Sequence, residues 1–268
     1  MPAPDLISLG NVFDALAQVP SHRLLAEFLE ATGVTWHKAA NTDDPRLVSD
    51  FSVKIASLGG IPFVRMADGQ FALANTPHQP FDLGGYQSAI KSMMAYSGMM
   101  SYLNSGRLSV DGVSAVMESK GHGSVAHTVQ VSLLVSGVSM AVENEFNSQR
   151  DLVHLSRITV ARASIQSDPP IVVRDINMLD AYRRVAKVAA AERSLLPGSG
   201  RDFLEAANQL FPAAKATAFI MTGTLRNLFK LTSSVSDDGK ELEFRDVLTR
   251  ADRQLKNLIG VESEKENG

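Results

Sequence analysis

One uninterrupted stretch, residues 118–157, most constrains the fold that this chain can adopt, because it joins three kinds of segment without a proline. A polar, glycine-flanked turn comes first. Residues 129–135 (VQVSLLV) are then apolar and β-branched, which is typical of a short half-buried strand. We expect Gly137 to end that strand and residues 138–150 to form a helix, since their apolar side chains recur near helical spacing. The stretch therefore predicts a turn, a strand and a helix in direct succession.

Composition restricts the class of protein. The chain has 268 residues, of which 44% are hydrophobic and 21% charged, so it can form one large core or two small ones. A net charge of −3 gives no general reason to expect nucleic acid or an acidic membrane as a partner. The absence of cysteine excludes disulfides, thiolate catalysis and cysteine-ligated metals. We find no signal peptide and no apolar run of transmembrane length, so we predict a cytoplasmic protein without membrane contact.

The first 85 residues contain the signals of a helix and several short strands. Ser21 can cap the helix, and Gly33 is expected to end it. Residues 76–85 contain two prolines and two glycines, which predicts a loop. Strands are predicted at residues 51–55, 61–66 and 71–73.

Longer helices are predicted in the rest of the chain, at residues 86–104, 110–119, 179–195 and 241–259. The methionines of the first of these helices indicate adaptable core packing. The basic side chains of helix 179–195 fit a solvated face or, as the less favoured alternative, a phosphate-binding face. The last helix has its apolar side chains on one broad face: Leu242, Phe244, Val247, Leu248, Ala251, Leu255 and Leu258.

Three motifs carry a resemblance to a known family. Residues 121–125 are Gly-His-Gly-Ser-Val, residues 137–139 are Gly-Val-Ser, and residues 222–226 are Thr-Gly-Thr-Leu-Arg. This pattern resembles the flavin-dependent thymidylate synthases. Their core runs from a Gly-His-x-Ser-Val turn through a strand to Gly-x-Ser and a helix, and has Thr-Gly-Asn-x-Arg further on. The resemblance implies an α+β fold, in which a small mixed or antiparallel sheet is flanked by long helices.

The resemblance also implies a division of the chain and a reaction. Residues 86–262 are expected to form the family core. Residues 1–85 are expected to be an extension of that core, or an edge of it whose sequence has diverged beyond recognition. Residues 263–268 are expected to be a frayed tail. The family reaction is the FAD-dependent reductive methylation of dUMP to dTMP with methylenetetrahydrofolate and NADPH. Family members assemble as homotetramers with active sites between subunits. The resemblance therefore implies FAD as a cofactor, a nucleotide as a ligand and a homo-oligomer.

Individual site residues follow from the same resemblance. The residues expected to bind the cofactor are His122, Ser124, Arg150, Arg226 and Lys230. The residues expected to bind the substrate are Glu145, His154, Ser156 and Arg157. We assign no catalytic residue, and we expect Arg150 and Arg226 to converge on one cleft. Without the resemblance, the arginines equally fit surface ion pairs, the turn residues fit local backbone capping and the glutamate fits a solvated helix face.

The Arg-His-Arg signature of the family is mostly absent. Its slot holds Ser148, Gln149 and Arg150, and the nucleotide-binding arginine of the family falls on Val235. Arginine binds phosphate through a planar pair of charge-assisted hydrogen bonds, which neutral side chains cannot supply. We therefore predict that FAD and dUMP are not held in the family's usual manner. The alternative function is a non-catalytic nucleotide-binding or scaffold protein that kept the fold and the oligomer but lost the flavin site.

Two further expectations concern metals and assembly. His122 and His127 are five residues apart with no third ligand in view, which argues against a zinc site, so we predict no metal. The apolar faces of residues 138–146 and 241–259 together exceed what a small sheet can readily cover. We therefore predict a stable homo-oligomer, most simply a tetramer.

Overall fold

The structure is a computed structural model, and it describes residues 2–20, 24–34, 36–37, 47–101, 109, 112, 128–157, 170–173, 177, 179–195, 213–236 and 241–261. The described strands are β1 (Trp36–His37), β2 (Leu47–Val48), β3 (Ser52–Leu58), β4 (Ile61–Arg65), β5 (Phe71–Leu73), β6 (Gln130–Ser139), β7 (His154–Arg157), β8 (Ile171–Val172) and β9 (Ala216–Thr224). The described helices are α1 (Leu9–Leu16), α2 (Leu24–Ala31), α3 (Leu83–Ser101), α4 (Met140–Ser148), α5 (Leu179–Leu195), α6 (Leu225–Thr232) and α7 (Leu242–Ile259), and a 3-10 helix, Ser233–Ser236, follows α6.

A six-stranded sheet organises these elements, in the order β5-β4-β3-β6-β9-β7. Every pairing in it is antiparallel. A second, three-stranded sheet has the order β1-β2-β8. The predicted α+β fold, an antiparallel sheet flanked by helices, is confirmed. None of the helices in the described part of the chain is long and apolar enough to cross a membrane.

The central strand β6 differs from its prediction at Gly137. The strand does not end there, because its register with β9 shifts by one residue between Ser136 and Val138 and pairing then continues to Ser139. Gly137 adopts a φ of +80° in this bulge, a conformation that residues other than glycine rarely adopt. Helix α4 therefore begins at Met140 rather than at Val138, with the Ser139 hydroxyl accepting a hydrogen bond from the first turn.

Helices cover the sheet on both faces. Val131, Leu133 and Val135 of β6 pack on the side of α4, α6 and α7. Leu134, between them, packs on the opposite side with residues of α1 and α2. The prediction of a half-buried strand is therefore wrong, because β6 is buried on both faces.

The two apolar helix faces from which we predicted an oligomer are buried inside the chain itself. Val142 and Phe146 of α4 and Phe244 and Leu255 of α7 have no exposed side-chain surface. This sheet is large enough to cover both faces, so the stated reason for the oligomer is wrong, whereas the tetramer itself stays a prediction. Leu242 also departs from the predicted apolar face, since it is 72% exposed.

The described residues among the first 85 contribute β3, β4 and β5 to the main sheet. Strand β3 pairs with β6 along its whole length. The backbone N–H of Asp5 donates to Gln254 Oε1 at 2.7 Å, and Gln254 Nε2 donates to Asp5 Oδ2 at 2.8 Å. These contacts join the amino-terminal segment to α7. The domain boundary at residue 85 stays a prediction.

Other sequence predictions have mixed outcomes. Strand β5 lies where it was predicted, and α3 begins inside the predicted loop. Met94 of α3 packs against the core, but Met93 and Met100 are exposed, so core packing was wrong for those two. The predicted helix 110–119 and the turn at 121–125 lie outside the described residues.

Candidate functional site

Three segments meet around Gly223, near the end of β9. A tight turn follows α4, closed by the N–H groups of Leu152 and Val153, which donate to the Gln149 carbonyl at 3.0 and 3.2 Å. A Cβ on Gly223 would lie 3.2 Å from the Leu152 carbonyl and from Val153 Cγ1, and 3.3 Å from Leu228 Cγ of α6. The lack of a side chain therefore lets this turn and α6 approach the same point on β9. We call this place, formed by Leu152, Val153, Gly223 and Leu228, the Gly223 junction.

Exposed cationic residues lie on the segments that form the Gly223 junction. Arg150 lies in the turn after α4, where its Nε donates to the Asn147 carbonyl at 3.1 Å. Arg226 and Lys230 are exposed on α6, one helical turn apart. Exposed cations on neighbouring segments attract an anion such as phosphate. The convergence of Arg150 and Arg226 on one cleft stays a prediction.

The two neutral residues in the signature slot are engaged in local hydrogen bonds. The Ser148 hydroxyl donates to the Glu145 carbonyl at 2.6 Å, and Gln149 Nε2 donates to Ser148 Oγ at 3.2 Å. Both bonds lie at the end of α4, and neither residue brings a positive charge. Within this slot, Arg150 alone can therefore compensate the charge of a phosphate.

The three predicted substrate residues after this turn lie on β7. His154 pairs with Thr222 near the Gly223 junction, and Arg157 pairs with Phe219, about 10 Å further along the strand. Successive strand residues point to opposite faces of a sheet, so His154 and Ser156 share one face and Arg157 lies on the other. The structure therefore brings His154 close to the Gly223 junction and separates Arg157 from it.

A buried carboxylate that our sequence analysis missed ties α4 to the sheet. Thr217 Oγ1 donates to Glu143 Oε2 at 2.6 Å, and Arg157 Nη1 lies 3.6 Å from Glu143 Oε1. Burial raises the pKa of the Glu143 carboxyl, against the opposing effects of the Thr217 hydrogen bond and of the positive charges of Arg157 and Lys215. Arg157 is thus anchored at the start of α4, whereas Arg150 follows the end of the same helix.

Helical spacing alone could not have identified Glu143. Both Glu143 and Glu145 flank the apolar stripe of Val142 and Phe146 on a helical projection. The sequence analysis selected Glu145, which is only partly buried, because it matched a family position. The sequence signal for a buried glutamate was only that it lies beside an apolar stripe, and both glutamates meet that condition. The position of the sheet relative to α4 decides that Glu143 is the buried one.

The raised pKa of Glu143 predicts a pH-dependent effect of Glu143→Gln. The folded protein disfavours the ionised carboxylate, so this group's contribution to stability is greatest below its ordinary pKa of 4.5 and falls as pH rises through the raised pKa. Glutamine cannot ionise and keeps an acceptor for Thr217. We therefore expect the stability of Glu143→Gln relative to the wild type to increase with pH, measured by urea unfolding between about pH 4.5 and pH 8.

Glu145→Gln is the matched control for that measurement, because it removes one carboxylate from the same helix at a partly exposed position. A stability difference between Glu143→Gln and the wild type that stays constant over this pH range would contradict the prediction.

Two predicted cofactor residues, His122 and Ser124, lie outside the described residues, and so does His127. The side chain of Val235, which follows α6 in the 3-10 helix, is also not described. The positions of these residues therefore stay predictions.

Solved structures of two nucleotide enzymes match this chain. The UMP/dUMP methylase PolB from Streptomyces cacaoi, bound with 5-Br dUMP, matches with a TM-score of 0.55 and 13% sequence identity, over 79% of this chain and 92% of PolB. Thymidylate Synthase X (ThyX) from Helicobacter pylori, with FAD and dUMP, matches with a TM-score of 0.51 and 13% identity, over 78% of this chain and 97% of ThyX. The chain has the fold of these enzymes.

This likeness confirms the family resemblance at the level of the fold. Comparisons with known family models and with curated protein sequences find no match. Sequence identities of 13% leave the activity to be argued from the site.

Proposed function

We propose that this protein is a divergent flavin-dependent thymidylate synthase-type protein that binds a uridine nucleotide at the Gly223 junction. The observation that carries the proposal is the shared fold, since the matching PolB structures hold 5-Br dUMP or 5-Br UMP and the ThyX structure holds FAD and dUMP. The family reaction would be the FAD-dependent reductive methylation of dUMP to dTMP. The substrate and cofactor residues expected from the sequence are part of this proposal.

The Gly223 junction offers suitable chemistry for a nucleotide phosphate. Arg150 in the turn after α4, and Arg226 and Lys230 on α6, are exposed, so both segments that meet at the junction carry positive charge. Arginine can bind a phosphate with two parallel hydrogen bonds, and lysine adds a point charge. Glu145 and His154 lie on the neighbouring helix and strand, where we propose that they contact the rest of the nucleotide.

FAD would supply the redox chemistry when bound, and its diphosphate needs positive charge. Ser148 and Gln149 are neutral and already bonded to one another, so they do not fit the family's way of holding the flavin. Arg150, Arg226 and Lys230 do fit an anionic group. We therefore propose that any flavin contacts at the Gly223 junction differ from those of the Arg-His-Arg signature.

The local hydrogen bonds of Ser148 and Gln149 favour a second candidate. In it, the protein binds a nucleotide without a flavin and performs no methylation. Purified protein that is colourless and shows no heat on titration with FAD, but binds dUMP, would support this second candidate over the flavin-dependent one.

We expect Arg226→Gln to weaken dUMP binding about tenfold or more, because a hydrogen bond to a charged group contributes about 1.5–3 kcal/mol. Isothermal titration calorimetry of the full chain measures this effect. Arg253→Gln is the matched control, since it removes the same charge from an exposed position on α7. Equal affinities in the two variants, or no heat with dUMP in the wild type, would contradict the proposed nucleotide site.

A companion variant tests the signature slot. Ser148→Arg combined with Gln149→His restores the family's residues at both neutral positions. Higher FAD affinity in this double variant than in the wild type would support loss of a flavin contact at this slot. Unchanged FAD affinity would show that the slot does not contribute to flavin binding.

The proposal also includes a homotetramer, as the family resemblance implies, and a cytoplasmic location, as the sequence predicts.

A further inference from the structure

A cavity of about 250 Å³ is lined by residues of α1, α2, β3, β4 and β5 and of the segment that precedes α1. Its apolar walls include four large side chains: Leu6, Ile7, Val12 and Phe71. Lys54 and Arg65 are the charged members of its described lining, and none of the described lining residues is acidic. Pockets for drug-sized ligands start at about 300 Å³, so this cavity suits a smaller molecule.

The side chain of Lys54 projects toward α1 and α2. Lys54 pairs with Leu134 of β6, so both side chains lie on one face of the sheet, and Leu134 packs with residues of α1 and α2. A Cβ on Gly33, just after α2, would lie 3.0 Å from Lys54 Nζ. In the described part of the chain, this nitrogen forms no hydrogen bond and no close ion pair. Such a lysine is unusual, because the charges of partly buried side chains are normally paired.

The neutral polar residues of the lining are engaged with one another at the start of α1. Ser8 Oγ accepts a hydrogen bond from the backbone N–H of Asn11 at 3.3 Å, and Asn11 Oδ1 accepts one from the backbone N–H of Arg65 at 3.3 Å. A hydroxyl without an adjacent base is also a weak nucleophile. Among the described lining residues, Lys54 therefore carries the group best suited to react with a ligand.

The surroundings of Lys54 favour its neutral amine. Burial lowers the pKa of the Lys54 amino group, against the opposing effect of the negative charge of Asp5. Asp5 is exposed, and its Oδ2 accepts a hydrogen bond from Gln254 Nε2 at 2.8 Å. Near pH 7, the neutral amine is therefore more populated at Lys54 than at an exposed lysine, and it is the nucleophilic form.

We propose that Lys54 forms an imine with a small aldehyde whose apolar chain lies in this cavity. The amine nitrogen attacks the carbonyl carbon, and both hydrogens of the neutral amine leave with the carbonyl oxygen as water. A C=N bond thus replaces the C=O bond, and the step needs no oxidant or reductant. This site shares no residue with the proposed nucleotide site.

An anionic ligand fits Lys54 less well than an uncharged aldehyde. A carboxylate would need the ammonium form of Lys54, which burial disfavours. Asp5 also places a negative charge near this nitrogen. An aldehyde with an alkyl chain instead uses the amine form and presents apolar surface to the apolar walls.

Reductive trapping on the full chain tests the proposal, because cyanoborohydride converts an imine into a stable secondary amine that peptide mass spectrometry locates. Lys91, which is exposed on α3, is the internal control. With hexanal near pH 7, we expect Lys54 to be modified faster than Lys91. With formaldehyde, which has no chain to bury, this preference should be about tenfold or more smaller, since burial of two methylene groups gives such a factor.

The pH dependence separates reactivity from access. The preference for Lys54 should fall as the pH rises toward about 10, where exposed lysines lose their protons as well. A difference in access alone would be independent of pH.

A variant at the edge of the cavity tests its role. Ala15 is an exposed member of the lining, so Ala15→Trp should obstruct the cavity and slow the modification of Lys54 by hexanal, but not that of Lys91. Gln18→Trp is the matched control, since it places the same side chain at an exposed position outside the described lining. Equal modification of Lys54 and Lys91, a preference that is the same with both aldehydes or constant with pH, or undiminished modification in Ala15→Trp would overturn the proposal.

Discussion

Gly137→Ala is expected to lower the free energy of unfolding by about 2–5 kcal/mol. The residue has a φ of +80°, which disfavours any side chain. A Cβ there would also lie 2.9 Å from the Asp50 carbonyl and 3.0 Å from Val34 Cγ1. The backbone at Asp50 cannot move without disturbing β3, which pairs with β6. The loss is a large fraction of the stability of an ordinary domain, and urea unfolding measures it.

Gly59→Ala separates the two causes of this loss. Gly59 also has a positive φ, +57°, but a Cβ there would have no neighbour within 4 Å. We therefore expect it to cost only the backbone strain, about 1–2 kcal/mol. Equal losses in the two variants would show that the close approach of Asp50 and Val34 to Gly137 carries no energetic cost.

Phe146→Ala is expected to lower the free energy of unfolding by about 3–5 kcal/mol, the usual cost of removing a buried aromatic ring. The Phe146 ring lies 4.5 Å from that of Phe244 and 5.4 Å from that of Phe219, measured between centroids. All three side chains are at most 1% exposed, so the truncation leaves a cavity where α4, α7 and β9 meet. Urea unfolding of the variant and of the wild type provides the comparison.

Phe13→Ala is the control, since it removes the same atoms at a position that is 56% exposed. It should cost less than about 1 kcal/mol. A double-mutant cycle between Phe146 and Phe244 should give a coupling energy of about 0.5–1.5 kcal/mol beyond the area that the rings bury. A small loss for Phe146→Ala would mean that the aromatic cluster is not the main contact between these three elements.

The sequence predicted those elements that are specified by local pattern. Helix α7 is the clearest case, because its apolar residues recur at helical spacing over 18 residues and six of the seven predicted positions are buried. Strand β6 and helix α4 were also predicted in the right order. Their boundary was not, since a glycine after a strand fits a strand end and a bulge equally well.

The sequence did not predict that β6 is buried on both faces, because the serines of this strand suggested that one face is in solvent. Ser132 and Ser136 alternate with apolar residues, as in a strand with one face in solvent. In the structure their hydroxyls have partners inside the protein, because Ser132 bonds to Thr222 at 2.9 Å and Ser136 donates to Thr32 at 2.7 Å. These partners are 90 and 104 residues away along the chain, so no local pattern could have revealed them.

The candidate site was predictable only in part, for the same reason. Motif matching selected Arg150 and Arg226 as candidates but could not reveal that Gly223, which has no side chain, lets the two segments that carry them come together. The anchoring of Arg157 by Glu143 depends on a helix packed across a sheet. That arrangement requires the three-dimensional fold and cannot be inferred from residue spacing.

The paired hydrogen bonds between Asp5 and Gln254 have a consequence for synthesis in the cell. They join residues 249 positions apart, and β3 reaches its place in the sheet only beside β6, about 80 residues later in the chain. A chain emerging from the ribosome can therefore pair β3 with β4, but α1, α2 and β3 lack their partners in β6, β9 and α7 until those elements have emerged. The apolar surfaces of these early segments stay exposed for most of translation, which is the interval in which chaperones act.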